Sequence, residues 1–403
     1  MAHIGVGGRA GALVRACAAL KDVEIVTLCD LDGRRVPAAV SVVEEKQGRT
    51  PQVVSDFRRV IDDKSIDAVV VGTPDHWHAL PTIYACQAGK DVYVEKPDAH
   101  NIVEGRTMVA AARENKRIIQ MGTQARSSSR LASALAYIRT GKLGKCRFAK
   151  AWESSKQGSI GRPPDSDPPA GIDYDFWLGS APKRPFNPIR FHGNWRWFFD
   201  YGTGDLGNDG VHRLDLAHVA LSAASVAAGE PALGMPQFIS ASGGKFYFDD
   251  AQEWPDTMQV TYEFPGKLLT YEMRVWAPYS YLGESEGAVV YGDQGSIVIG
   301  NTRWKAFGPK GEVVAEGSGG DTTTEHFVNF FECMRSRKRP NADLETVGHV
   351  SSVLCHAGNI AWRTGQRIRL DASNERFDSR AANDLRSRQE YRKPWTLPRL
   401  PGV

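Results

Sequence analysis

No apolar run in the 403-residue chain approaches the roughly 18 residues of a membrane span. Nor do its six cysteines contain a CxxC pair. Cys17, Cys29, Cys86, Cys146, Cys333 and Cys355 lie far apart, which argues against a disulfide framework or a zinc ribbon. Four of them (Cys17, Cys29, Cys86, Cys355) sit in apolar stretches, as small buried hydrophobes do. Neither sign of charge dominates, since 50 Lys and Arg face 47 Asp and Glu for a net charge of +3. The basic stripe of a nucleic-acid binder is therefore missing, and neither nucleic acid nor membrane is expected as a partner. His76-x-His78 has no further His or Cys cluster beside it, so no metal site is expected. Only four residues precede Gly5, little for a first strand. A cytoplasmic protein is expected as the chain stands, or a periplasmic one if an export signal was removed upstream of Met1.

The length suits two domains with a core each. Residues 1–123 alternate strand-like runs (Ala2–Val6, Val23–Cys29, Ala68–Gly72, Asp91–Glu95, Arg117–Met121) with helical patterns. That alternation predicts a parallel sheet covered by helices, hence an α/β Rossmann domain. Gly5, Gly7 and Ala10 fit the G-x-G-x-x-G/A spacing between the first strand and first helix. Gly5 allows the tight turn, Gly7 a close approach of backbone to pyrophosphate, and Ala10 close helix packing; Gly8 and Arg9 belong to the same loop. Asp30 ends the second strand, 23 residues after Gly7. An acid there holds both ribose hydroxyls and repels a 2′-phosphate, favouring NAD over NADP, although Arg34 and Arg35 oppose that repulsion.

Two more loops lie at strand C-termini. In Gly72-Thr73-Pro74-Asp75-His76-Trp77-His78, the residues Thr73, Pro74, His76 and His78 are read as touching the cofactor. In Val94-Glu95-Lys96-Pro97, Glu95 and Lys96 lie beside the nicotinamide, where the Lys96 ammonium polarises a substrate oxygen. Gln124 and Arg126 follow the last strand and are placed in the cleft, at the cofactor and the substrate respectively.

Residues 124–370 read as an α+β domain with an open, mainly antiparallel sheet. Its strands are expected at Cys146–Glu153, Gln237–Phe248, Met258–Phe264, Leu268–Trp276, Gly287–Gly292 and Ser296–Ile299. The helix near 344–364 is expected to pack back on the first domain. An insertion at 154–199 delivers Trp177, Phe186, Phe191, Trp195, Trp197, Phe198 and Phe199. These either pin a long loop or form a platform for a sugar ring, with Trp195 and Trp197 as candidate substrate contacts beside Glu153. Residues 371–403 read as an ordered strap anchored by Phe377, Leu385, Tyr391, Trp395 and Leu397.

The Gly5–Gly11 loop, Asp30, Thr73-Pro74-Asp75-His76, Glu95-Lys96-Pro97, Met121-Gly122-Thr123-Gln124, Gly204–Asp215 and Arg392-Lys393-Pro394-Trp395 together resemble the Gfo/Idh/MocA oxidoreductases, named for glucose–fructose oxidoreductase and inositol dehydrogenase. The resemblance implies a cis Lys96–Pro97 bond, assembly as a homodimer or homotetramer, and an Asp and a His four residues apart aimed at the reacting carbon. The His matches His212, whereas Asn208 occupies the Asp position. Asn cannot carry the charge that raises the basicity of His212, so Asp205 or Asp209 is expected to supply it. The expected activity is oxidation of a secondary hydroxyl of a sugar, glycoside or polyol, with His212 as general base, Lys96 stabilising the alkoxide, and Asn208 and Asp209 beside them. Two other readings are a glycosidase or lyase that retains NAD and works by transient C3 oxidation, and a sugar or NAD sensor without turnover.

Overall fold

Short Val-rich runs buried on both faces build the first sheet. A computed structural model describes residues 1–320 and 323–400. In it β1 (Ala2–Ile4), β2 (Thr27–Cys29), β3 (Gln52–Val54), β4 (Ala68–Val71), β5 (Asp91–Val94) and β6 (Ile119–Met121) run parallel in the order β3-β2-β1-β4-β5-β6. Helices α1 (Arg9–Ala18), α2 (Val36–Gln47), α3 (Phe57–Asp62), α4 (Ala79–Gln87) and α5 (Ile102–Asn115) connect and cover them. The order reverses between β1 and β4, the switch point at which open α/β sheets bind ligands. β3 was not foreseen. It is an edge strand of three residues after Pro51, with Gln52 and Val53 exposed, and so has no apolar run to betray it.

The remaining elements are α6 (Ser129–Arg139), β7 (Cys146–Glu153), α7 (Tyr174–Leu178), α8 (Val211–Ala227), β8 (Phe238–Gly244), β9 (Thr257–Phe264), β10 (Lys267–Arg274), β11 (Glu286–Gly292), β12 (Gly295–Ile299), β13 (Arg303–Phe307), β14 (Val313–Ser318), α9 (Thr323–Ser336), α10 (His349–Thr364), β15 (Ile368–Asp371), β16 (Arg376–Phe377) and α11 (Arg380–Asp384). Their strands form one sheet in the order β14-β13-β12-β11-β7-β10-β9-β8-β15-β16. All pairs are antiparallel except β7 with β10, which makes the sheet mixed at its centre. β13 and β14 extend it beyond the expected strands. β14 is largely exposed, so burial leaves almost no alternation in its sequence. Helices α6, α8 and α10 contribute apolar side chains to the core on one face; Trp152, Val289 and Val298 cluster on the other with the partly buried Tyr281, Tyr291 and Phe307.

Two elements return to the first domain: α9, and the helix at 344–364 as expected, whose Leu344 joins the first domain's apolar cluster. Phe327, Phe330 and Phe331 of α9 complete the core around α1, and the Phe327 ring stacks on Tyr93 at 4.4 Å. The apolar side of α10 belongs to the larger core, which also takes in Ile102 and Met121 of the first domain, and polar contacts join it there. His349 Nδ1 lies 2.7 Å from Asp98 Oδ2, its Nε2 lies 3.1 Å from Glu375 Oε2, and Asp98 N donates to Ser352 Oγ at 3.0 Å. The strap folds over its own chain. Trp395 stacks on Phe176 at 4.8 Å within the first domain's apolar cluster, Phe377 joins the second core, and Tyr391 donates to Glu104 Oε1 at 3.0 Å.

Burial pushes the His349 pKa down, but the carboxylates of Asp98 and Glu375 overcome that and raise it from 6.5 to about 10. A raised imidazole pKa stabilises the fold fully below the unfolded value and loses that contribution as pH climbs through the folded one. Thermal unfolding followed by circular dichroism should therefore show Tm falling between pH 6.5 and about 10. His349→Gln should lower Tm at neutral pH and flatten that slope.

Candidate active site

The turn from β1 into α1 approaches its neighbours too closely for side chains. Gly5 has φ +86°, and a Cβ there would stand 2.8 Å from Gly72 O. A Cβ at Gly7 would run into the Arg35 guanidinium, so a cation already lies over this turn. Asp30, at the end of β2, is held by N–H groups of Val6 (3.0 Å) and Asp32 (2.9 Å). From here a cleft runs past Gly5, Gly7, Gly8, Arg9, Ala10, Asp30, Thr73, Pro74, His78 and Glu95 to Lys96 and Asn208. The fit to a dinucleotide rests on that cradle: bare backbone, the start of α1, a cation and an anchored carboxylate in one continuous groove.

At the inner end, β5 delivers Glu95 and Lys96. Glu95 accepts from Arg9 Nε at 3.1 Å and from Lys96 N at 3.1 Å. The Lys96–Pro97 bond is cis, and the His78 ring bridges Pro97 O (2.7 Å) and Thr73 O (2.9 Å), tying the two loops together. Lys96 Nζ crosses to the other domain and donates to the carbonyl of Asn208 at 2.5 Å and to its Oδ1 at 3.0 Å. Asn208 sits in a π-helical turn, Leu206–Gly210, that opens α8. Such turns are frequent at functional sites. Gly210 lets this one press against β10, since a Cβ there would stand 2.7 Å from the Tyr271 hydroxyl. His212 follows in the first turn of α8. Burial, then the charges of Lys96 and Arg213, hold its pKa well below the usual imidazole range, so the ring is neutral.

Behind Asn208 lies a buried acidic layer. Glu153 and Glu286 are register partners on β7 and β11. Burial and this second carboxyl push Glu153 up, while Glu286 stays low beside Arg213, so one proton is shared and held on Glu153. Asp205 accepts from Gln157 Nε2 at 3.0 Å; burial and the charge of Asp209 raise its pKa.

Several expected contacts are corrected by this geometry. His76 does not line the cleft; its Nε2 lies 2.9 Å from Trp177 O and its ring packs against Trp177 and Tyr201. Gln124 is buried behind it, donating to the Tyr93 hydroxyl at 2.9 Å. Arg126 is committed to Asp215 by two bonds of 2.7 and 2.6 Å, so it braces α8 and does not await a ligand. Glu153 and Asp205 lie in the layer behind the cleft, almost fully buried. Asp209 is partly exposed, and its charge acts on Asp205 and Tyr271. Trp197 is a core residue, as are Phe186 and Phe198, whereas Trp195 does line the cleft, with Trp177, Phe191 and Arg196.

Two features escaped the sequence. His192, from the insertion, reaches across to Asp32 (2.7 Å) and roofs the groove beside Asp30. Asp75 lines the cleft with a nearly buried carboxylate that accepts from Thr203 Oγ1 at 2.8 Å. Its one sequence signal was an acid in a loop at a strand C-terminus.

Residues 1–123 match the family described as oxidoreductase, NAD-binding Rossmann fold, and residues 147–228 match its C-terminal alpha/beta domain. The chain belongs to the Gfo/Idh/MocA oxidoreductase family, and its first domain is that family's NAD-binding domain. Among curated relatives, levoglucosan dehydrogenase of Pseudarthrobacter phenanthrenivorans is 26% identical over 190 residues, covering 47% of this chain and 42% of that protein. Glycosyl hydrolase family 109 protein 1 of Akkermansia muciniphila is 28% identical over 155 residues, covering 38% of this chain and 32% of that one. These matches span less than half of each relative. The fold is shared with the WlbA dehydrogenase of Bordetella pertussis, solved with NADH and UDP-GlcNAcA, at 19% identity and a TM-score of 0.66 over 92% of this chain and 98% of that one.

Asp30→Ala removes the carboxylate at the ribose end. The loss of a charged hydrogen-bonding group should weaken NAD binding by about 10- to 100-fold and narrow the gap to NADP, read by isothermal titration calorimetry with both nucleotides.

Proposed function

We propose that this protein oxidises a secondary hydroxyl of a sugar, glycoside or polyol with NAD. The observation that carries the reading is the Lys96 ammonium of the NAD-binding domain hydrogen-bonded to Asn208, one turn before His212 of the other domain, at the end of the glycine-lined groove. Bound NAD supplies the hydride acceptor. Lys96 donates a hydrogen bond to the substrate oxygen and stabilises the alkoxide as it forms. Burial and the nearby cations keep the His212 ring neutral, the form in which an imidazole nitrogen takes the hydroxyl proton. Asn208 holds Lys96 in place, and Trp195 offers an apolar face to a sugar ring.

The family membership and the dehydrogenase relatives support this reading. A second reading, a glycosidase that keeps its NAD and returns the hydride after eliminating the aglycone, draws on the relatives named as glycosyl hydrolases and on the roof that His192 and Asp32 form over the groove. Incubation with NAD and a glycoside panel separates them. The dehydrogenase accumulates NADH in step with a product lighter by two hydrogens; the glycosidase releases aglycone without net NADH. Binding of NAD with neither outcome across the panel contradicts both readings and leaves a sensor. Lys96→Ala and His212→Ala should each lower kcat/KM by roughly 10²-fold.

We further propose that the chain assembles as a homodimer or homotetramer through the helix-free face of the large sheet, where Tyr281, Tyr291 and Phe307 remain partly exposed. Light scattering should return a mass of two or four times 44.3 kDa; a monomer contradicts the proposal.

A further inference from the structure

The insertion at 154–199 follows the groove from its ribose end to Lys96. His192 meets Asp32 at the first, and further along Arg196 stands in the cleft wall next to Trp195. Arg196 Nη1 donates to Gly193 O at 2.6 Å, and its Nη2 donates to Gln157 Oε1 at 3.3 Å. Gln157 Nε2 in turn donates to Asp205 Oδ1 at 3.0 Å. Asp205 is bonded as well to the side chain of Asn208, whose Oδ1 receives Lys96. Arg196 is thus joined to the Lys96 end of the groove through two amides and one carboxyl. Among the described residues neither cation makes an ion pair, and the shielded Nε of Arg196 has no hydrogen-bond partner. The acids that line the cleft are engaged elsewhere: Asp30 by two backbone N–H groups, Asp32 by Arg34 and His192, Glu95 by Arg9, and Asp75 by Thr203. Asp209 does not line it. A partly buried guanidinium that gives its hydrogen bonds to neutral oxygens lacks a counter-charge, and the lack is costly. The phosphates of NAD belong at the start of α1, beside Arg35, and leave Arg196 to another anion.

We propose that Arg196 is a specificity-determining residue that binds a carboxylate of the substrate, which makes the substrate an acidic sugar, a uronate or its glycoside. The inference rests on the reading of this cleft as the site of sugar oxidation and narrows its substrate class. A planar guanidinium pairs with a carboxylate through parallel N–H···O bonds, which fixes the orientation of the sugar as well as its charge. Trp195, beside it in the wall, covers the ring, and Lys96 receives the hydroxyl to be oxidised. Arg196 is held ready for this. A Cβ at Gly202 would stand 2.4 Å from the Arg196 Cα, so the two backbones are pressed together, and the guanidinium lies 5.5 Å from the Trp197 ring centre. A group already fixed in place loses little freedom when the ligand arrives. The carboxylate is bound and takes no part in the transfer of hydride.

The test uses sugars in matched sets of three: a methyl hexoside, the corresponding methyl uronide and the amide of that uronide. With NAD, kcat/KM for the best uronide should exceed that of its amide and its hexoside by about 10-fold or more, mainly through KM. Arg196→Gln should bring the three within a few-fold of one another, and Arg196→Lys should restore part of the preference. Calorimetric titration of the uronide into the enzyme–NADH complex reads binding without turnover. There Arg196→Gln should weaken it by about 10- to 100-fold. Should the variants melt early, the preference of the parent protein among the three sugars decides the matter alone. Equal binding of acid and amide by the parent overturns the inference, as does failure to bind any uronide. So does an Arg196→Gln variant that loses NAD affinity and keeps the preference for acid, because the guanidinium would then serve the cofactor. Uronide binding that needs Arg196 but yields no NADH upholds the inference and counts against the proposed oxidation. Oxidation of hexosides in preference to uronides does the reverse.

Discussion

An ammonium that leaves one sheet and is received by a turn of another makes this interdomain groove a site. Lys96 ends β5, and its nitrogen is held by both oxygens of Asn208 in the π-helical turn that opens α8. Everything that fixes those two elements serves that contact. The His78 ring links the Thr73 and Pro97 loops below Lys96, and Gly210 lets the turn settle on Tyr271. His212 stays neutral because burial, and after it the nearby cations, disfavour its charged form. Acid–base chemistry needs such a neutral base.

The domain interface is braced where His349 lies between Asp98 and Glu375, and within the second domain Arg126 grips Asp215, which also accepts from Ser351 at 2.7 Å. A buried charge is costly unless paired and hydrogen-bonded, and these are both. The apolar contribution comes from α9 and the strap, whose aromatic residues finish the first domain's cores from the far end of the chain. The two domains are thus interlaced, which suits a site made of one group from each.

The groove was legible in the sequence because its signals are local. A glycine spacing, an acid at a strand end, and a lysine before a proline need only a few neighbouring residues to be understood. Of the strands that escaped, β3 and β14 lie at sheet edges with little burial and so leave no period in their side chains, while β13 buries only Trp304 and Ala306 in five residues, too short a run to stand out. Side chains whose meaning depends on a distant partner were misplaced. Arg126 and His76 were assigned to ligands because nothing nearby announces Asp215 or Trp177, and Trp197 was indistinguishable from Trp195 until one was buried and the other left in the cleft. Asp75 stands in a loop at a strand C-terminus, yet its partner Thr203 is 128 residues away and leaves no local signal.

If Lys96 and His212 act as one unit on one substrate, a double-mutant cycle shows it, with kcat/KM for the oxidised sugar measured for Lys96→Ala, His212→Ala and the pair. Groups acting together are strongly non-additive, so the double variant should be no slower than the more damaged single by more than a few-fold. Fully additive losses would mean that the two side chains work at separate places and would contradict the account.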